Sequence, residues 1–378
     1  MYVTGVSLKP SELRPVLGSL RANWRGSKVK ERVVVIESDD WGSIRTPSRA
    51  ALGRMRERGL VSHGSVYCND ALETSDDLTR LYGLLSSIRG SDGRPAVLTA
   101  NTIVANPDFD AIRASGFKRY IWEPTTRSCA RQPENAGVPE LWRQGIAAGI
   151  YRPQFHGREH LHHRRWLARL RSGDELARFC FELGSTSSGQ GDYSFMEALD
   201  WDAPEEVREQ EAELISGLAL FREIFGYSSE SFIAPCYTWD PLLEPALATQ
   251  GVKWIQGVRV QQRPNGQGQQ RTGIKHFFGQ RNAHGQRYNV RNVHFEPVMT
   301  AGIDVVGRAL KQIGIAFALQ RPAVINTHRV NYIGAIEPGN AERGLAALKV
   351  LLLEIIKRWP DARFISTDQL SEVLSTSH

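Results

Sequence analysis

Val33-Val34-Val35-Ile36-Glu37-Ser38-Asp39-Asp40-Trp41-Gly42 is the stretch on which the reading of this chain turns, because branched apolar residues run directly into a group of acids. Consecutive Val and Ile without polar alternation mark a strand buried on both faces, as in a parallel sheet covered by helices. Two adjacent aspartates after a strand often form a turn or a helix cap. At the carboxyl end of a parallel strand they also stand where α/β folds gather their reactive groups.

Two more apolar runs end in histidines. His156-Gly157-Arg158-Glu159-His160 follows the expected strand Arg152 to Phe155, and His328 closes Ala323-Val324-Ile325-Asn326-Thr327. On a helical turn, residues i and i+4 share a face, so His156 and His160 are spaced to grip one cation. Two neutral imidazoles and a carboxylate form a three-ligand set that leaves a position open for water. A cation held in this way acidifies water and polarises a carbonyl. His328 titrates near neutral pH and suits proton donation to a leaving group. The three strand ends together point to hydrolytic metal chemistry.

Short apolar strands alternate with helical segments along the chain, the pattern of a parallel α/β fold. The other strands expected are Ala96 to Ala100, Tyr120 to Trp122, Ser231 to Ala234, Lys253 to Gln256 and Arg363 to Ser366. A helix is expected from Pro204 to Gly226, with acids in its first turn. A second runs from Glu342 to Trp359, stopped by Pro360, and Ser366 to Gln369 reads as a capping box for a last one. Gln261 to Gln270, with Pro264, Gly266 and Gly268 among glutamines, reads as a surface loop.

The 378 residues carry 47 basic and 41 acidic side chains, a mild net charge of +6. The basic residues cluster at Arg21, Arg25, Lys28, Lys30 and Arg32 and again at Arg164, Arg165, Arg169 and Arg171. No nucleic-acid-binding module accompanies them, so an acidic small molecule or glycan fits the charge better. Cys68, Cys129, Cys180 and Cys236 are widely spaced without a Cys-x-x-Cys pair, as in reduced proteins. Neither a signal peptide nor an integral membrane segment is apparent, and a cytoplasmic location is expected.

The ordered set of Asp39-Asp40, His156-x3-His160, an apolar strand ending in proline and a late His328 resembles the polysaccharide deacetylases of the NodB-homology type, carbohydrate esterase family 4. The resemblance covers scattered motifs between about Val33 and Asn331. It implies an α/β fold, a distorted (β/α)7-type barrel with long insertions, here at about 44–149 and 255–320 of one catalytic domain spanning 1–378. It also implies one divalent metal, usually Zn2+, bound by Asp40, His156 and His160, with Asp39 as general base and His328 as general acid. The family's Arg-Pro-Pro-Tyr-Gly element looks like Phe232-Ile233-Ala234-Pro235-Cys236-Tyr237, so that the oxyanion-holding backbone N–H falls on Cys236.

Departures are visible too. The family arginine that steadies the base is replaced by Ile233, with Arg158 or Arg329 as candidate substitutes. Trp41 stands where the first motif has glycine, and no counterpart of the motif that orients the late histidine is evident. His294, in Arg291-Asn292-Val293-His294-Phe295-Glu296, is an alternative acid. Trp41, Trp239 and Arg329 are candidate contacts to a sugar ring or its anionic groups. The expected activity is removal of an N-acetyl group from a nucleotide- or lipid-linked sugar in bacterial surface polysaccharide (O-antigen) biosynthesis. Alternatives are a deformylase of a lipid-linked amino sugar, a glycoside hydrolase using paired carboxylates, and a non-catalytic glycan-binding protein.

Overall fold

The computed structural model describes residues 10–61, 66–186, 195–266, 271–300 and 302–375. Its centre is a nine-stranded sheet in which every pairing is parallel. Val33–Trp41 lies between Leu98–Thr102 and Ala323–His328, and Tyr151–Phe155, Ser231–Ile233 and Trp254–Gly257 follow beyond Leu98–Thr102. The two ends of the sheet are Arg287–Val290, paired with Trp254–Gly257, and Val293–His294, paired with Ala323–His328.

These two end strands are neighbours in sequence, separated only by Arg291 and Asn292. The Arg291 N–H donates to the Gly257 carbonyl at 2.9 Å, and the Asn292 N–H donates to the Val324 carbonyl at 3.2 Å. Residues 287–294 therefore act as one broken strand that joins both ends of the sheet. Counted once, and leaving aside Arg363–Ile365, which pairs only with Val33–Val35, it completes a ring of seven strands. The fold is the expected distorted (β/α)7-type barrel. Two of its staves come from segments expected to decorate it, since Leu98–Thr102 and Arg287–His294 lie within 44–149 and 255–320.

Alternation along each strand sorts the barrel into layers. Val34 and Ile36 face outward onto Leu78, Leu81 and Leu85 of helix Ser75–Ser87 and Leu345, Leu348 and Leu352 of helix Pro338–Arg358. Val33 and Val35 face the other way and join Trp254, Val324, Ile365, Leu370 and Val373 at the foot of the barrel. Burying each such side chain contributes roughly 1.5–3 kcal/mol. Above that apolar foot the inward positions turn polar: Glu37, Asn101, Gln154, Gln256, Asn289 and Asn326 are all buried. Aliphatic side chains fill this layer in many barrels. Here the amides bond one another, as where Asn101 Nδ2 donates to Gln256 Oε1 at 2.8 Å.

Elsewhere the sequence reading is followed with shifted ends. The long helices are Glu206–Phe225, closed by Gly226, and Pro338–Arg358, which starts earlier than expected because Pro338 suits a first turn. The Ser366–Gln369 capping box is present. The expected Gln261 to Gln270 loop instead begins within a hairpin, Val260–Pro264 against Arg271–Lys275, and 267–270 lie outside the described residues. No described helix is long and apolar enough to cross a membrane.

Helix Pro338–Arg358 reaches the turn after His328 through a glycine. A Cβ on Gly344 would run into the Asn331 carbonyl, and that clash predicts a loss of about 1–3 kcal/mol for Gly344→Ala. Urea unfolding checks this, and stability equal to the parent would contradict the close approach.

Candidate metal centre and active site

Strict alternation would send Asp39 and Asp40 to opposite faces. The strand instead carries a bulge. Its register against Leu98–Thr102 shifts between Ser38 and Trp41, and Asp40 has φ of 77°. Aspartate is among the few residues that tolerate this left-handed geometry. A bulge re-aims side chains, and here both carboxylates serve the mouth of the barrel.

His156 and His160 come from the end of Tyr151–Phe155, but not on the helical turn expected for them. Residues 156–162 are irregular, Gly157 takes φ of 107°, and the helix begins only at His163. The turn still brings the two rings together at 5.1 Å between centroids. Asp40 Oδ1 lies 3.6 Å from His156 Nε2 and 3.4 Å from His160 Nε2. One ligand atom from each of the three residues falls within 4.8 Å of the others.

This trio fits a divalent cation. His156 Nδ1 lies 3.0 Å from the Ile233 carbonyl, which can only accept, so that nitrogen carries the proton and Nε2 presents its lone pair. His156 Nε2 is buried without a hydrogen-bond partner, a costly condition that a metal ion relieves. Burial pushes His160 down to about 3, keeping the ring neutral as ligation requires. Burial opposes charge on Asp40 as well, but the Arg45 guanidinium holds its carboxyl well below the usual range.

Asp39 is clamped by a residue the sequence reading did not assign. Arg291, at the break in the closing strand, donates Nη1 to Asp39 Oδ2 and Nη2 to Asp39 Oδ1, each at 2.6 Å. Its Nε donates to Glu37 Oε2 at 2.7 Å, and Asn101 Nδ2 adds a 2.8 Å bond to Asp39 Oδ1. Burial disfavours the Asp39 charge, yet the guanidinium overrides it and holds the carboxyl at about 2. Burial dominates at Glu37 and raises it. Neither proposed substitute reaches Asp39: Arg158 bonds Glu159 and Ser216, while Arg329 bonds Asp70, Glu73 and the Ser43 carbonyl.

The parallel register sets Asp39 beside His328. His328 Nε2 lies 3.9 Å from Asp39 Oδ2 and 3.4 Å from the Tyr67 hydroxyl. Its Nδ1–H donates to Glu296 Oε1 at 2.6 Å, and Asn331 Nδ2 fixes the other oxygen of Glu296 at 2.6 Å. Glu296 is thus the orienting group missing from the motif comparison, two residues beyond the histidine considered there. Burial works against charge on His328, but Glu296 raises it to about 9. His294 is exposed, whereas His328 is paired with Glu296 beside Asp39, so His294 lacks the site that His328 occupies.

The expected sugar contacts are corrected by burial. Trp41 is fully buried, donates to Ser38 Oγ and meets Tyr151 edge-on; Trp239 is buried with its Nε1 on Glu244; Arg329 is enclosed by its carboxylates. None has surface to offer. Cys236 is exposed at the mouth, with φ of 53°. Its turn closes by bonds from the Tyr237 and Thr238 N–H groups, to the Ala234 and Pro235 carbonyls. Tyr67 and Arg45, the latter 3.5 Å from Asp40 Oδ1, line the opening without any motif to announce them.

No family model matches the sequence, and no curated protein matches it. Solved structures do. A protein described as a glycoside hydrolase/deacetylase from Parabacteroides distasonis aligns with a TM-score of 0.50 at 8% identity, over 93% of this chain and 73% of the other. One described as a polysaccharide deacetylase from Mycobacterium smegmatis gives 0.44 at 12% identity, over 94% and 93%. A family 4 acetyl xylan esterase from Clostridium thermocellum, in complex with a cobalt ion, gives 0.34 at 10% identity, over 91% of each. At such identities the likeness is one of fold alone.

Two outcomes follow from the charges. A raised histidine pKa stabilises the fold fully below the ordinary value of 6.5, and this is lost as pH rises through about 9. Urea unfolding of metal-free protein should therefore weaken more steeply from about pH 6 to about pH 10 than that of Glu296→Gln; parallel curves would contradict the pairing. Arg291→Met, which strands two buried carboxylates, should cost about 3–5 kcal/mol, part of it recovered by adding Glu37→Gln. An additive double variant would show that the three groups are not coupled.

Proposed function

We propose that this protein is a metal-dependent amidohydrolase that removes an acetyl group from an N-acetylated sugar. The observation that carries the reading is one mouth that brings ligand atoms of Asp40, His156 and His160 within 4.8 Å of one another, beside Asp39 clamped by Arg291 and His328 paired with Glu296. A divalent cation, with Zn2+ the best match to two imidazoles and a carboxylate, supplies a Lewis acid for the carbonyl and acidifies water.

The remaining steps belong to the chain's own groups. Asp39 accepts the proton of the attacking water. The Arg291 fork keeps its carboxyl low, at about 2, and so ionised and free to accept that proton. We assign the backbone N–H of Cys236, in the exposed turn after Pro235, as the donor to the oxyanion. His328, protonated at neutral pH, gives its Nε2 proton to the departing nitrogen and is held in register by Glu296.

Neither aspartate suits a glycosidase of the paired-carboxylate kind. That chemistry needs one carboxyl kept protonated by a raised pKa, and both Asp39 and Asp40 are shifted downward. In its finer form the proposal is one catalytic unit acting in the cytoplasm on a nucleotide- or lipid-linked sugar for a surface polysaccharide such as an O-antigen. The likeness of fold to a protein described as a glycoside hydrolase/deacetylase supports the sugar.

The test combines metal analysis with acetate release from N-acetylated sugars. Purified protein should carry one equivalent of divalent metal, lost in His156→Ala/His160→Ala. Asp39→Asn should keep the metal and lose about 10²–10⁴-fold in kcat. Formate release in place of acetate would assign the deformylase alternative, and full activity in Asp39→Asn would overturn the mechanism.

A further inference from the structure

The last turns of helix Pro10–Asn23, from Leu17 onward, set leucines outward and polar residues inward. Ser19 and Asn23 are 4% and 1% exposed, whereas Leu17, Leu20 and, just past the helix, Trp24 are 45%, 36% and 74% exposed. The polar side is firmly seated. Asn23 Nδ2 donates to the Ser19 carbonyl at 2.8 Å, and Asn292 Nδ2 donates to both Asn23 Oδ1 at 2.7 Å and the Pro322 carbonyl at 2.8 Å. That anchorage fixes the rotation of the helix, so Leu17, Leu20 and Trp24, at i, i+3 and i+7, form an outward stripe.

Cations border the stripe. Arg21 and Arg25 follow Leu20 and Trp24 directly, Lys28 and Lys30 continue the run, and all four are exposed. The nearby acids Glu31 and Asp361 are taken by Arg363 and Arg32. No acidic partner is left for the four cations among the described residues.

We infer that this face docks on a membrane surface rich in anionic headgroups. A helix laying an apolar stripe into the headgroup boundary, with cations beside it and a tryptophan at its end, has the form of an interfacial anchor. Each cation near an anionic leaflet strengthens such binding about fivefold. A second copy of this chain suits the face poorly, because a two-fold contact sets the patch against itself and opposes like charges. The anchor lies beside Pro322, at the start of the strand that ends in His328, about 20 Å from the reactive mouth at ordinary strand rise. The site stays open when the face is occupied. The inference goes beyond the hydrolase reading and needs no turnover.

The experiment is co-sedimentation of the full chain with vesicles of phosphatidylcholine alone and of phosphatidylcholine mixed equally with phosphatidylglycerol. Binding should be at least about tenfold stronger to the anionic vesicles and should be released by salt. Leu20→Ser/Trp24→Ser and Arg21→Glu/Arg25→Glu should each weaken it about tenfold without moving the melting temperature, since all four side chains are exposed. Absence of vesicle binding, or variants that bind like the parent, would overturn the inference. So would sedimentation equilibrium showing a dimer that Leu20→Ser/Trp24→Ser dissociates while vesicle binding is unchanged.

Discussion

One guanidinium buried at the break of the closing strand holds the site and the barrel together. Arg291 spans Glu37 and Asp39, two inward residues of the first strand, and also reaches Asn326 at 2.7 Å and the Tyr237 hydroxyl at 3.2 Å. Taking any one of these charges out of water costs several kcal/mol, and only a well-bonded partner offsets it. Arg291 is placed to do so because its backbone joins the two ends of the sheet. Barrel closure and orientation of Asp39 are thus the same structural event.

The layering of the barrel explains why that event is specific. Apolar side chains fill the foot, a network of amides fills the middle, and ionised groups crown the top. Each amide in the middle layer can be satisfied only if neighbouring strands keep their register, since a slip of one residue would reverse every side chain. The same register sets Asp39 beside His328 and Glu37 beside Asn326. At the top, environments then push the groups apart: Arg291 holds the Asp39 carboxyl at about 2, while Glu296 raises the His328 imidazole to about 9.

The sequence made the three reactive strand ends legible because each follows a run of apolar residues strong enough to mark a buried strand. The bulge at Asp40 was not legible, since its left-handed backbone leaves no trace in residue type. Arg291 and Glu296 escaped for another reason. Arg291 lies within, and Glu296 two residues beyond, a strand that reads Arg-Tyr-Asn-Val-Arg-Asn-Val-His, whose inward positions are polar, so it carries no apolar signature. His294, which closes that strand, is exposed. Tryptophan was an equally poor guide, because Trp41 and Trp239 supply bulk to the core and not a surface for ligand.

The most direct test is a crystal structure with diffraction recorded on either side of a metal absorption edge. The account predicts a single anomalous peak about 2.0–2.2 Å from Asp40 Oδ, His156 Nε2 and His160 Nε2, with Arg291 still forked onto Asp39. A peak elsewhere, or Asp40 turned away from both histidines, would contradict it.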